Sequence, residues 1–193
     1  MKILFATQNQ HKRDEVQALV GHQFNILSLH DLQFTAELPE THETLEENAL
    51  EKALFVYQQF SIDCFSEDTG LEIDALGGAP GVYSARYAGA GKKPQDNVAK
   101  VLKELGDNDN RNAHFRTVIC LFYHNETQYF EGIVNGTIAK EPAGEKGFGY
   151  DPIFIPEGTA LTFAQMNASE KNDISHRRIA IDKMILWLNQ QVG

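Results

Sequence analysis

The sequence predicts an α/β fold built on a mixed β-sheet, and three observations carry that reading. Strand-like and helix-like runs alternate through the first half of the chain. Two long runs of β-branched and aromatic residues then follow, with a short polar stretch between them that marks a hairpin. No linker, repeat or low-complexity segment divides the 193 residues, so a single domain spanning 1–193 is expected, in the usual range of ~100–200 residues. Alternation asks for parallel strands joined by helices and a hairpin asks for an antiparallel pair, so the sheet is mixed.

Each element has its own signature. Residues 2–6 (KILFA) read as the first strand and Thr7-Gln8-Asn9-Gln10 as a polar turn after it. In the helix that follows, Val16, Leu19 and Val20 recur at i, i+3 and i+4 and mark a buried face. Residues 24–29 (FNILSL) are a second strand. Thr44-Leu45-Glu46-Glu47 matches a capping box. The helix it opens carries Leu45, Ala49, Ala53, Val56, Tyr57 and Phe60 on one stripe, with Asn48 and Lys52 on a neighbouring one. Residues 62–66 form a strand that Glu67-Asp68-Thr69-Gly70 is expected to break before residues 71–76 resume the sheet. Gly77-Gly78-Ala79-Pro80-Gly81 is a turn by composition. Residues 94–105 suit a helix that buries Val98, Val101, Leu102 and Leu105. Residues 113–123 and 127–134 make the hairpin around His124-Asn125-Glu126. The last helix, from about Ser175, buries Ile181, Met184, Ile185 and Leu188.

Composition narrows the partners. With 17 Lys+Arg against 27 Asp+Glu the formal net charge is 17 − 27 = −10. Such a chain repels the phosphate backbone of DNA or RNA, and no basic stripe offsets this. A single nucleotide is still accommodated by a few placed cations, and excess carboxylate suits Mg²⁺, a hard ion that prefers oxygen ligands. No apolar run reaches the ~18 residues a membrane span needs, and no signal peptide is legible at residues 1–12. Cys64 and Cys120 sit in apolar runs without metal spacing and are expected to be buried reduced thiols in a cytoplasmic protein.

Four groups of residues could carry chemistry. Thr7-x-Asn9-x-x-Lys12 enters the first helix, where orphan N–H groups attract anions and a hydroxyl, an amide and an ammonium add donors. Glu67 and Asp68 are adjacent carboxylates, which repel one another unless a cation or a proton sits between them. In Gly147-Phe148-Gly149-Tyr150-Asp151 two glycines flank an aromatic, allowing close backbone approach and offering a stacking face. Lys171 and Ser175-His176-Arg177-Arg178 place basic residues near a helix start, which the helix dipole disfavours without an outside reason. Anion binding, a carboxylate pair and a flat ring together describe a nucleoside triphosphate with Mg²⁺. Asp-Thr-Gly also occurs in aspartic proteases, but the single tripeptide here and the α/β pattern exclude that reading.

Through ATQNQHK (6–12), ENALEKA (47–53), EDTGLEIDALGGAPGVYSARYAG (67–89), GFGYDPIF (147–154) and SHRRIA (175–180) the chain resembles the inosine triphosphatase-like family of non-standard purine nucleoside triphosphate pyrophosphatases. The resemblance implies an elongated mixed β-sheet flanked by helices, in two lobes around a central cleft, and a homodimer. It implies Mg²⁺-dependent hydrolysis of ITP, dITP and XTP to the monophosphate and pyrophosphate, which removes deaminated purines from the nucleotide pool. Residue by residue, Asp68 matches the catalytic, metal-bound carboxylate and Glu40 a second metal ligand. Thr7, Asn9 and Lys12, helped by Lys52, fall on the phosphate-binding positions, and Gln8, Gln10, His11 and Thr69 on substrate contacts. Phe148, Gly149, Tyr150 and Asp151 fall on the base pocket, with Lys171, His176 and Arg177 closing it. Many members carry Asp-Asp-Ser-Gly where this chain has Glu67-Asp68-Thr69-Gly70, which leaves Glu67 as an auxiliary carboxylate. A Maf-type pyrophosphatase for modified pyrimidines is the same-class alternative, disfavoured by GFGYDPIF and Ser175-His176-Arg177. A nucleotide sensor without turnover is the other, disfavoured by Glu40, Asp68 and Lys12.

Overall fold

The computed structural model describes residues 2–20 and 24–192. Its strands are β1 (Lys2–Phe5), β2 (Asn25–Ser28), β3 (Cys64–Ile73), β4 (Pro80–Gly81), β5 (Asn112–Tyr123), β6 (Glu126–Ile138) and β7 (Phe154–Pro156). Its helices are α1 (Gln10–Val20), α2 (Leu45–Phe60), α3 (Pro94–Leu105), α4 (Ala168–Ile174) and α5 (His176–Val192). The strands form one sheet in the order β2-β1-β3-β5-β6-β7, with β4 paired to β3. β1 runs parallel to β2 and β3, and β4 and β7 pair antiparallel to β3 and β6, so the sheet is mixed as the sequence predicts. The β5–β6 hairpin turns on His124 and Asn125, both at positive φ, which matches the right-handed twist of the strands it joins. Among the described residues no helix is long and apolar enough to cross a membrane.

By contacts the chain divides into two compact units: 1–68 with 117–132 and 177–193, and 69–116 with 133–176. In the first unit the strands are buried on both faces. Ile3, Phe5, Phe65, Ile119 and Leu121 pack with Val16 and Val20 of α1 and with Ala180, Ile181, Met184 and Leu188 of α5. Their neighbours Leu4, Ala6, Cys64 and Cys120 pack with Ala49, Ala53 and Val56 of α2. The period-2 alternation of a strand sorts them. Phe5 and Phe65 stack at 4.4 Å between centroids on the α1/α5 side. Both cysteines are free and buried, as expected, and burial pushes each thiol up to about 12.

The second unit has one core. Leu71 and Ile73 of β3, Val98, Val101 and Leu105 of α3, Phe115 of β5, and Phe154 and Phe163 form it. Phe115 meets Phe154 edge-on at 4.7 Å. α3 spans the predicted residues, with Pro94 in its first turn, where a missing N–H costs nothing.

Three expectations fail: the break at residues 67–70, the sheet through residues 74–76, which form a short 3-10 helix, and the turn over all of residues 77–81, of which Pro80–Gly81 is β4. Residues 67–70 do not break the strand: β3 runs unbroken through Glu67-Asp68-Thr69-Gly70. Gly70 is required there, because a Cβ would lie 2.8 Å from the Gly81 carbonyl oxygen of β4. The two carboxylates are tolerated because cations meet them on opposite faces, Arg177 and Lys12 at Glu67 and Lys52 at Asp68.

Candidate active site

Adjacent residues of a strand point to opposite faces. Glu67 therefore joins Phe65 on the α1/α5 side, while Asp68 joins Cys64 and Ser66 on the α2 side. Ser66 fixes that side by donating its hydroxyl to the Ala49 carbonyl of α2.

On the α2 side, Asp68 is buried, and its Oδ1 accepts from Lys52 Nζ at 2.8 Å. The same ammonium donates to Glu40 Oε1 at 2.9 Å. Burial alone would lower the Lys52 pKa, but the Asp68 and Glu40 carboxylates outweigh it and raise it. Asn48, one turn before Lys52, donates from Nδ2 to Asp68 Oδ2 at 3.3 Å. α2 is set in place by its N-cap, Thr44, whose hydroxyl oxygen accepts from the Glu47 N–H at 3.2 Å.

On the α1/α5 side, Glu67 is 2% exposed. Arg177 grips it with two parallel bonds, Nε to Oε2 and Nη2 to Oε1, both 2.8 Å, and Lys12 Nζ adds a third contact at 3.0 Å. Arg177 Nη1 also donates to Glu15 of α1. Burial would raise the Glu67 pKa, but Arg177 and Lys12 hold the carboxyl well below the usual range. At the start of α1, Asn9 Oδ1 accepts from the Lys12 N–H at 3.2 Å and Thr7 Oγ1 accepts from the Asn9 N–H at 3.1 Å. The Thr-x-Asn-x-x-Lys spacing is thus an N-cap whose Lys12 side chain reaches back to β3. Gln8 and His11 are exposed; Gln8 Nε2 donates to the Ala36 carbonyl at 2.8 Å and Gln10 Nε2 to Asp14 at 2.8 Å.

In the second unit, Asp151 Oδ2 accepts from Lys171 Nζ at 2.7 Å and from the Phe148 N–H at 2.8 Å. The Lys171 ammonium stands 4.8 Å from the centroid of the half-buried Phe148 ring, a cation–π distance. Gly147, at φ 73°, leaves room for this turn, since a Cβ there would lie 2.0 Å from Asp151 Oδ2. Tyr150 is buried and donates its hydroxyl to the Ser84 carbonyl at 2.9 Å, and burial pushes its pKa up. His176 is buried, with its ring stacked on Phe115 at 4.7 Å. Thr69 and Gly149 are partly exposed.

Comparison with known proteins follows this geometry. A profile of the Ham1 family matches residues 3–187. A dITP/XTP pyrophosphatase of Flavobacterium psychrophilum is 49% identical over 96% of this chain and 97% of its own length. The Bacillus subtilis dITP/XTP pyrophosphatase is 44% identical over 94% of this chain and 93% of its own. The chain belongs to the Ham1 family. The Ham1 protein of Staphylococcus aureus superposes with a TM-score of 0.89 at 37% identity, covering 99% of this chain and 100% of that one.

On this Ham1 fold two expectations change. Arg177 is not an open donor for a base edge: its guanidinium is 1% exposed and engaged by Glu67 and Glu15. The reason for basic residues at the start of α5 is internal, a carboxylate of β3. Glu67, the auxiliary carboxylate, is gripped on both oxygens by Arg177 and contacted by Lys12, so its charge is answered by cations of α5 and α1. Glu40, Lys52 and Asp68 do come together, through one ammonium. Sequence reasoning missed the roles of Glu15, three residues after Lys12, and of Asn48, four before Lys52, although helical spacing places both beside named residues. It also missed α4, whose capping box Asn167/Glu170 is legible as Asn-x-x-Glu.

Two hard carboxylates brought to one point are donors suited to Mg²⁺. Among the described residues no group of three or more His, Cys, Asp or Glu could hold a metal.

Proposed function

We propose that this Ham1 chain hydrolyses the non-standard purine nucleotides ITP, dITP and XTP to the monophosphate and pyrophosphate, with Mg²⁺ held by Asp68 and Glu40. The observation that carries the reading is the convergence of the half-buried Glu40 and the buried Asp68 on Lys52, one ammonium facing two carboxylates. The names of relatives 40–49% identical over at least 94% of this chain support the same activity.

The reaction is in-line attack of water on the α-phosphorus. The new bond is P–O from water, the bond lost joins the α-phosphorus to the bridging oxygen, and pyrophosphate leaves. Asp68 accepts the proton of the attacking water, help worth roughly 10²–10⁴-fold. Mg²⁺, held by Asp68 and Glu40, would neutralise phosphate charge and acidify a bound water. Lys12 and Lys52 oppose the charge that develops on the pyrophosphate, and the N–H groups at the start of α1 add donors. Phe148 offers its ring to the purine. Lys171, 5% exposed and paired with Asp151, is an ammonium with three N–H donors and no acceptor, which suits the 6-oxo acceptor of inosine and xanthosine better than the 6-amino group of adenine. Polar mismatch of that kind rejects an analogue by up to ~10⁴–10⁵-fold. We extend the reading to a cytoplasmic homodimer, on the resemblance and on the location of free nucleotides.

The test is a nucleotide panel with Mg²⁺, scored for pyrophosphate separately from orthophosphate. ITP, dITP and XTP should release pyrophosphate well above ATP and GTP. Orthophosphate alone, or equal turnover of every nucleotide, would sink the reading.

A further inference from the structure

Glu40 lies in residues 34–44, which contain neither helix nor strand apart from the turn into α2, so its position must be fixed from outside the loop. α2 clamps this loop in two places. Glu51, on the more exposed side, accepts from the Thr41 N–H at 3.0 Å and the Thr41 hydroxyl at 2.9 Å. Asn48, 1% exposed, accepts from the His42 N–H at 2.9 Å and donates to the His42 carbonyl at 3.2 Å. Only the second clamp continues to β3, through Asn48 Nδ2 and Asp68 Oδ2 at 3.3 Å. Each oxygen of Asp68 thus has its own donor from α2, Oδ1 from Lys52 and Oδ2 from Asn48.

We propose that Asn48 is the positioning residue of this site: it ties the Glu40 loop to Asp68 so that both carboxylates face one cation. The inference rests on the metal-dependent reading above. The residue type fits the task, since a primary amide offers an acceptor and two N–H donors on one short stem, and all three have partners here. An aspartate would lose both donors and add a buried like charge beside Asp68. An alanine would leave the His42 N–H and carbonyl and one Asp68 oxygen without this partner. Lys52 does different work: its ammonium holds the two carboxylates to each other and makes no backbone clamp on the loop.

The test uses Mn²⁺ as the probe, titrated into the nucleotide-free protein and followed by the electron paramagnetic resonance of the free ion. Asn48→Ala should weaken Mn²⁺ binding by roughly 10-fold or more, the scale of losing a residue that orients a ligand. Glu51→Gln, which loosens the same loop without reaching Asp68, should weaken it far less. ITP affinity measured in EDTA should be the same in Asn48→Ala and wild type, since Asn48 is not placed on the nucleotide. Unchanged Mn²⁺ affinity in Asn48→Ala overturns the positioning role alone. Equal loss in Asn48→Ala and Glu51→Gln reduces it to general loop stability and overturns it too. Wild-type protein that binds no Mn²⁺ overturns the metal reading and this inference with it. If circular dichroism shows Asn48→Ala unfolded, Asn48→Ser, which keeps one donor and one acceptor, is read in the same way.

Discussion

Glu67 and Asp68 are neighbours on one strand, yet they occupy opposite faces of the sheet and different chemical worlds. Glu67 is matched by two cations, Arg177 and Lys12, with the guanidinium gripping both its oxygens. Asp68 shares a single ammonium with a second carboxylate, Glu40. A fully answered carboxylate holds elements together, here α1 and α5 against β3. A carboxylate that shares its counter-ion is where an added cation gains most. The difference separates a carboxylate whose charge is fully answered from one that shares its counter-ion, although the sequence sets them side by side.

The sharpest way to break this comparison is Asp68→Asn. It should keep the fold and lower kcat for ITP by roughly 10²–10⁴-fold or more, measured as pyrophosphate release under saturating Mg²⁺. A variant that retains a tenth of wild-type kcat would remove Asp68 from the chemistry.

Arg177→Ala probes the other face. It leaves Glu67 buried with half its partners, and breaking a buried pair costs about 3–5 kcal/mol. Urea unfolding should register that loss, and a change under ~0.5 kcal/mol, the scale of an ordinary surface substitution, would contradict the structural role.

Phe148→Ala tests a third kind of contribution, shape without charge. Loss of a stacking face is worth about 1–3 kcal/mol, so KM for ITP should rise while kcat is retained. A fall in kcat at constant KM would move Phe148 out of ground-state binding.

The smallest effect is expected at the thiols. With both pushed up to about 12, Cys64 and Cys120 should react with a disulfide reagent at pH 8 only after unfolding. Rapid modification of native protein would contradict their burial.

How much of this is legible in the sequence depends on how far apart the partners lie. The hydrophobic stripes of α1, α2 and α3, the Thr44 cap and the hairpin at His124-Asn125 are local, set by spacings of two to four residues, and they are read off correctly. The strand through Glu67-Asp68-Thr69-Gly70 is misjudged, because local propensity counts two adjacent carboxylates and a glycine as a break. It does not know that cations wait on both faces.

The sequence by itself determined the α/β class, the order of the longer helices and strands, with β4, β7 and α4 left out, and the buried thiols. Tertiary structure alone decided which charge meets which. Arg177 and Glu67 are 110 residues apart in sequence, and Lys52 and Asp68 are 16 apart on different elements. Their pairing depends on the face each strand position takes and on which helix covers that face. Periodicity predicts that a side chain will be buried; only packing selects the partner that makes burying a charge affordable.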